Sequence, residues 1–206
     1  MADIKITNEQ VDVLREIGNI GAGTAATALG QILKKKVMIN VPKVTLLNVE
    51  NAASGEFMVT PDEISIIVAS KILGTLKGGM LVVYSHKSAL TMIDILLGRK
   101  MGSTELFTVM DASALAETSH ILCSSYVNAV GEFLDLHHLI PSIPQTIIDK
   151  ITKLDKALTK RFIGEEVSYV LPIENRLIIE DIELNISVSF LLEYESVNKI
   201  LKIVGL

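Results

Sequence analysis

Apolar residues recur at helical spacing in two long segments of the chain. Thr7 and Gln10 resemble a capping box, and the pattern predicts a helix from there to about Lys35. Its buried stripe is predicted to comprise Val11, Leu14, Gly18, Ala22, Ala25, Leu29, Ile32 and Leu33. A second long helix is predicted over residues 111–134. Each helix therefore has one face for a core and another for solvent.

Segments rich in β-branched residues predict the strands, and shorter periodic segments predict further helices. The predicted strands are 37–47, interrupted at Pro42, then 63–72, 78–85, 166–179 and 183–193. The predicted shorter helices are 87–97, 147–158 and a closing helix from about 196. Helices and strands together indicate an α/β (α+β) protein.

One polar pattern occurs twice on the long helices, about a hundred residues apart. The first motif is Asp12, Glu16 and Asn19, and the second motif is Ser113, Glu117 and His120. Small and apolar residues downstream of the two motifs align as well. We therefore predict one domain over 1–206, built from repeats at about 8–98 and 109–206 and joined by a short linker at 99–108.

Composition and charge exclude several classes of protein. The net charge is −5 without an extensive basic cluster, which argues against a nucleic-acid partner. No apolar run approaches the ~18 residues that span a bilayer, so membrane insertion is not expected. The N-terminus does not resemble a signal peptide, and a single cysteine, Cys123, fits a reducing compartment. We expect a cytoplasmic protein with a small buried Cys123.

The first motif has the composition of half an active site. Positions i, i+4 and i+7 share one helix face, so its three side chains project together. Asn19 cannot act as a general base, but a carboxamide can orient a water molecule by donating and accepting hydrogen bonds. Glu16 can bind a partner's cation. Such a pair suits phosphoryl transfer, where positioning carries most of the catalysis.

A row of small residues, Gly23, Ala26 and Gly30, continues along the predicted outer face of the same helix. Glycine inside a helix costs about 0.5–1 kcal/mol relative to alanine. These residues either let a partner approach the helix backbone or pack within the fold, and spacing alone leaves both alternatives open.

Two other patterns in the sequence resemble cofactor-binding motifs but do not match them fully. Gly18, Gly21 and Gly23 do not follow a predicted strand, so they do not match a dinucleotide-binding loop. The spacing of Glu117 and His120 is that of a di-metal motif, but Asn19 stands where the matching histidine would be. We expect no metal site and no cofactor in this chain.

The first motif resembles the signature of the CheC/CheX/FliY chemotaxis phosphatases, and the chain is most similar to CheC. In that signature Asp or Ser, Glu and Asn are followed by a proline, here Pro42. The resemblance implies a pseudo-two-fold β-sheet with the two long motif helices packed on it. It also implies hydrolysis of the aspartyl phosphate of the response regulator CheY, with Asn19 placing the water and Glu16 pairing with a regulator lysine.

The same resemblance implies that Mg²⁺ belongs to the regulator, and it makes the receptor deamidase CheD a further candidate partner. Duplication within one chain favours a monomer. The alternative is a non-catalytic adaptor that binds phosphorylated CheY or CheD. A flagellar-switch component, as FliY is, is a third option, although the additional C-terminal domain expected there is not in this sequence.

The second motif departs from the family pattern. His120 replaces the asparagine, and the nearby prolines are Pro141 and Pro144, neither at the expected position. Imidazole is bulkier than carboxamide and places its nitrogens differently. Val127 also replaces the smaller Ala26. We therefore expect the second site to be weak or silent, with an active imidazole variant as the alternative.

Overall fold

The computed structural model describes residues 6–45, 47–48, 64–150, 169–180 and 182–206. The helices are α1 (Asn8–Leu33), α2 (His86–Leu96), α3 (Val109–Phe133) and α4 (Tyr194–Ile203). The strands are β1 (Val37–Val44), β2 (Leu47–Asn48), β3 (Ile64–Leu73), β4 (Gly78–Ser85), β5 (Ile140–Pro141), β6 (Gln145–Lys150), β7 (Tyr169–Ile179) and β8 (Ile182–Glu193). Within these described ranges, none of the helices is both long and apolar enough to cross a membrane.

The two long helices begin in the same way. The Thr7 hydroxyl oxygen accepts a hydrogen bond from the backbone N–H of Gln10, and the side-chain oxygen of Gln10 accepts one from the backbone N–H of Thr7. Thr108 and Asp111 make the equivalent pair at the start of α3. Each box satisfies N–H groups that a helix start would otherwise leave unpaired. The capping box predicted for the first helix is confirmed.

The described strands form one antiparallel sheet that interleaves the two halves of the chain. Its order is β1–β7–β8–β4–β3–β5, with β2 also beside β7 and β6 also beside β3. The central pair, β4 and β8, joins equivalent strands of the two halves. The strand after α1 pairs with β7 of the second half, and the strands after α3 pair with β3 of the first half. In the described part of the chain, strands of both halves therefore belong to one sheet.

Helices α1 and α3 pack on each other, and each also packs on the strands beside it. Their crossing is close at Gly21, where an added Cβ would lie 2.7 Å from the ring of Tyr126. Tyr126 is fully buried and makes an edge-on contact with Phe190 of β8, with ring centroids 5.4 Å apart. Gly21 therefore lets the two motif helices meet over the sheet.

The predicted fold class is confirmed, and most predicted elements lie within a few residues of the observed ones. The buried stripe of α1 is also observed, except that Ile32 is exposed and Val11 is only half-buried. The predicted interruption of the first strand is seen as a shift of register between Asn40 and Lys43.

One predicted element is wrong where the structure describes it. The helix expected over 147–158 begins as strand β6, whose residues pair with β3 from Gln145 to Lys150. Long-range pairing to β3 outweighs the local pattern there. Residues 151–158 lie outside the described part, as do residue 63 and residues 166–168 of two predicted strands.

Candidate active site

The first motif lies on the exposed face of α1. Asp12, Glu16 and Asn19 are exposed, while Leu14 and Ile17 of the same turns are buried against the core. The Asn19 side-chain nitrogen Nδ2 donates to Glu16 Oε2 at 3.5 Å. This distance is at the long end for a hydrogen bond, so the contact is weak and both groups can turn to a partner.

Asp12 has a different neighbour from the other two members of the motif. Arg15 Nη1 donates to Asp12 Oδ1 at 2.6 Å, and both side chains are largely exposed. An exposed pair of this kind contributes little to stability. Asp12 therefore holds Arg15 beside the motif, and the unit available to a ligand is the Glu16–Asn19 pair.

The surface beyond Asn19 is a shallow, open depression lined by Gly23, Thr24, Thr27, Ala28 and Gln31. An added Cβ at Gly23 would meet nothing within 4 Å, so this glycine lies in open space. Thr24 donates its hydroxyl to the carbonyl oxygen of Ile20, and Thr27 donates to that of Gly23. Because both hydroxyls are bonded to their own helix, this surface offers a partner few competing polar groups.

The predicted outward row of Gly23, Ala26 and Gly30 is correct only in part. Ala26 is buried, at 7% exposure, because it faces the packed side of α1. Gly30 is explained within the fold, since an added Cβ would lie 3.0 Å from the backbone oxygen of Lys35 in the turn after the helix. Only Gly23 lacks a packing explanation.

The second motif lies at the corresponding place on α3 but differs in structure. Ser113 and Glu117 are exposed, and the Ser113 hydroxyl donates to the carbonyl oxygen of Val109 at 3.1 Å. His120 is half-buried, and its Nδ1 is buried without a hydrogen-bond partner in the described part of the chain. The side chain at the third motif position is thus exposed on α1 and half-buried on α3.

That difference limits the chemistry of the second motif. A carboxamide carries its donor nitrogen and its acceptor oxygen on one carbon and directs both to the same side, so one side chain can accept a hydrogen bond from a water molecule and donate one to it. The two ring nitrogens of imidazole direct their hydrogen bonds away from each other, and in His120 one of them, Nδ1, is buried. His120 can therefore offer one polar atom to a ligand where Asn19 offers two.

Pro42, the remaining residue of the family signature, lies in β1 within the shift of register between Asn40 and Lys43. Its side chain is outside the described part of the structure. The backbone places it on the edge strand that follows α1, where a missing N–H is tolerated.

A buried network at the start of α3 was not expected from the sequence. The Asp94 carboxylate accepts hydrogen bonds from the backbone N–H groups of Gly102 and Ser103 and from the Thr104 hydroxyl at 2.6 Å. The Thr104 bond contributes most to a lowered pKa of Asp94, because it favours the charged carboxylate. The linker is thereby held against α2.

Asp111 extends this network to the second motif helix. Its carboxylate accepts from the Thr108 hydroxyl at 2.7 Å and from Arg99 at 3.4 Å. Burial alone would raise the pKa of Asp111, but these hydrogen bonds and the Arg99 charge outweigh it, and the pKa is lowered. A sequence signal existed, since an aspartate at the third helical position after threonine is a capping pattern.

Neither Cys123 nor a cluster of metal-ligating side chains offers an alternative site in the described part of the chain. Cys123 is buried, as expected, and burial raises the pKa of its thiol to about 12, which leaves it unreactive at neutral pH. In the described ranges, no three His, Cys, Asp or Glu side chains are grouped so that they could hold a metal ion. The motif on α1 is therefore the strongest candidate site that we find.

Comparison with known proteins points to the same family as the first motif. A model of the CheC-like family matches residues 9–46, which include the first motif. The chain is 34% identical over 146 residues to the CheY-P phosphatase CheC of Bacillus subtilis (strain 168), covering 70% of this chain and 68% of that protein. This confirms the resemblance found in the sequence.

Solved structures show the same fold at low sequence identity. Thermotoga maritima FliY aligns with a TM-score of 0.77 and 23% identity, covering 97% of this chain and 98% of that one. The FliM middle domain from H. pylori aligns with a TM-score of 0.62 and 18% identity, covering 96% and 99%. With the motif, the family model and the relative in agreement, the chain belongs to the CheC-like family of chemotaxis proteins.

Proposed function

We propose that this protein is a phosphatase that hydrolyses the aspartyl phosphate of a CheY-type response regulator, using Asn19 and Glu16 of α1. The observation that carries the proposal is the pairing of these two exposed side chains at 3.5 Å beside an open surface. The relative in Bacillus subtilis is named for the same activity. Our proposal extends that activity to this chain and assigns it to these two residues.

Asn19 acts on water in the proposed reaction. Its carboxamide oxygen accepts a hydrogen bond from the water and its nitrogen donates one, so the water oxygen is aimed at phosphorus. The new bond forms between that oxygen and phosphorus while the bond from phosphorus to the aspartyl oxygen breaks. The electron pair stays on the regulator's carboxylate, and inorganic phosphate leaves as H2PO4−, carrying both protons of the attacking water. Mg²⁺ bound to the regulator would offset the charge of the phosphoryl group.

Glu16 orients the regulator. Its exposed carboxylate lies one helical turn from Asn19 and can pair with a lysine ammonium group of the regulator. An exposed ion pair adds little affinity, but it fixes the register of the two proteins. Gly23 and the self-bonded Thr24 and Thr27 then let the regulator approach the helix backbone closely.

The test is the decay of regulator phosphate with wild type and with Asn19→Ala. Because the carboxamide positions the attacking water, we expect its loss to reduce the acceleration of regulator dephosphorylation by on the order of 100-fold. Asn19 is exposed, so the variant should keep the wild-type circular dichroism spectrum and midpoint of unfolding. Full activity in a folded Asn19→Ala protein would contradict the assignment.

The adaptor alternative predicts a different result in the same assay. Wild-type protein would bind the phosphorylated regulator, or CheD, without changing the decay rate at equal concentrations. The fold does not decide between these functions, because it also occurs in the FliM middle domain. We favour the enzyme because the exposed carboxamide beside Glu16 is suited to orienting water, and because the relative in Bacillus subtilis is named as a phosphatase.

A further inference from the structure

The start of α3 carries an exposed apolar patch that α1 lacks. Leu106, Val109 and Met110 are 80%, 86% and 68% exposed, and we call these three residues the apolar patch. The equivalent positions before and on α1 are polar, with Asn8 and Glu9 in place of Val109 and Met110. The two motif helices thus differ in the polarity of their exposed first turns.

The apolar patch is continuous with the second motif. Met110, Ser113 and Glu117 stand at positions i, i+3 and i+7, so they share one face of α3. A molecule that reaches the Glu117 carboxylate along this face therefore also covers Met110. The apolar residues and the motif form a single surface.

Hydrogen bonds anchor the segment that carries this surface. Asp94 binds the linker through Gly102, Ser103 and Thr104, and Asp111 is bonded to Thr108 at the helix start. Exposed apolar side chains on a fixed segment cost less entropy to bury than those on a loose loop. The segment is therefore suited to binding a partner.

We propose that the second motif is a docking site that holds the phosphorylated regulator without hydrolysing it. This inference rests on the proposed function, because it assumes that the first motif binds the phosphorylated regulator. We infer the same regulator as the occupant, because Glu117 repeats the carboxylate of Glu16 at the same helical position and would pair with the same basic side chain of that partner.

The residue at the third motif position of α3, His120, would allow the regulator to bind without hydrolysis of its phosphate. His120 presents one polar atom, since its Nδ1 is buried, so the ring can contact a phosphoryl oxygen but cannot fix a water from two sides. Burial of Val109 and Met110 supplies affinity that the polar start of α1 does not. A regulator on α3 would therefore stay bound with its phosphate intact.

The experiment is a calorimetric titration with the CheY-type regulator of the same organism, charged with Mg²⁺ and beryllium fluoride as a stable mimic of aspartyl phosphate. Wild type should bind two equivalents. The double variant Val109→Glu, Met110→Glu should bind one, with affinity at the lost site reduced at least about tenfold. Acidic residues are favourable at a helix start, so this variant should fold.

Two further variants complete the design. Glu16→Lys should also bind one equivalent and, unlike the patch variant, lose acceleration of phosphate decay. Phe133→Glu replaces an exposed apolar residue at the other end of α3 and should keep both equivalents. Two equivalents in the patch variant, or one in wild type, would overturn the inference while activity lost in Glu16→Lys still supports the proposed function.

The remaining outcomes are also decisive. Two equivalents in wild type without any acceleration of decay would support the docking site and refute the proposed function. Dimers of wild type that the patch variant abolishes, measured by analytical ultracentrifugation, would assign the apolar patch to a second copy of this chain and overturn the inference.

Discussion

Helices α1 and α3 start with matching capping boxes and pack on each other and on the sheet, yet their outer faces differ. On α1 the motif ends in exposed Asn19, and the neighbouring Gly23 is open. On α3 it ends in half-buried His120, and an apolar patch lies at the helix start. Shared packing fixes the inner faces of the helices, whereas the outer faces are free to acquire separate roles.

The inner faces are not identical either. Gly21 of α1 corresponds to Leu122 of α3, and Ala25 corresponds to Tyr126. The large ring of Tyr126 fills the space that Gly21 leaves. The crossing therefore depends on one small and one large residue, and this unequal pair can be tested directly.

Gly21→Ala should produce the largest loss of stability. Its Cβ would lie 2.7–2.8 Å from three ring atoms of Tyr126, and that ring is fully buried against Phe190. Overpacking of this kind costs about 1–3 kcal/mol in the free energy of unfolding, which urea denaturation measures. The matched control is Gly23→Ala, which meets nothing and should gain about 0.5–1 kcal/mol from helix propensity.

A Gly21→Ala protein as stable as wild type would show that the helices do not cross so closely. The Gly23→Ala control adds information on function. If α1 is the docking surface for the regulator, this stabilised variant should still lose activity, because the new methyl group stands beside Asn19.

Acid should destabilise the start of α3 more than that of α1. The pKa values of Asp94 and Asp111 are lowered in the folded state. Their contribution to the free energy of unfolding is therefore complete above the unfolded-state pKa of about 4, and it is lost as the pH falls through their folded-state pKa values. The capping box of α1 uses neutral Gln10. Thermal unfolding between neutral pH and pH 2 measures the effect.

Asp94→Asn should be less stable than wild type at neutral pH and lose less on acidification. Asp12→Asn, which removes an exposed pair with Arg15, is the control and should change stability little. Identical pH dependence in wild type and Asp94→Asn would refute the role given to this carboxylate.

His120→Asn should have the smallest effect, and it tests the difference between the motifs. The change restores the family residue, but Val127 and the apolar patch remain. We therefore expect the rate of phosphate release to rise slightly and at most to double, because only one further site is added. A decrease would mean that the imidazole itself takes part in hydrolysis.

Local patterns in the sequence predicted much of this molecule. Helical periodicity and capping residues located α1 and α3 closely, and the first motif indicated the family. The assignment of Glu16 and Asn19 as the site, and of residues 99–108 as the boundary between two repeats, stays a prediction.

What the sequence did not predict depends on long-range contacts. Pairing with β3 makes 145–150 a strand, and packing between the helices buries Ala26. The partners of Asp94 come from a linker whose path is set by the fold. The apolar patch likewise needed the structure, because periodicity does not say which residues at a helix start are covered.

We propose that helix α1 hydrolyses the regulator phosphate and that helix α3 does not. The most direct test of this proposal is the rate of phosphate release with Asn19→Ala and His120→Ala, measured side by side at equal regulator concentration. We predict that Asn19→Ala loses acceleration by on the order of 100-fold, whereas His120→Ala stays close to wild type. The reverse order, with His120→Ala inactive and Asn19→Ala active, would contradict the account.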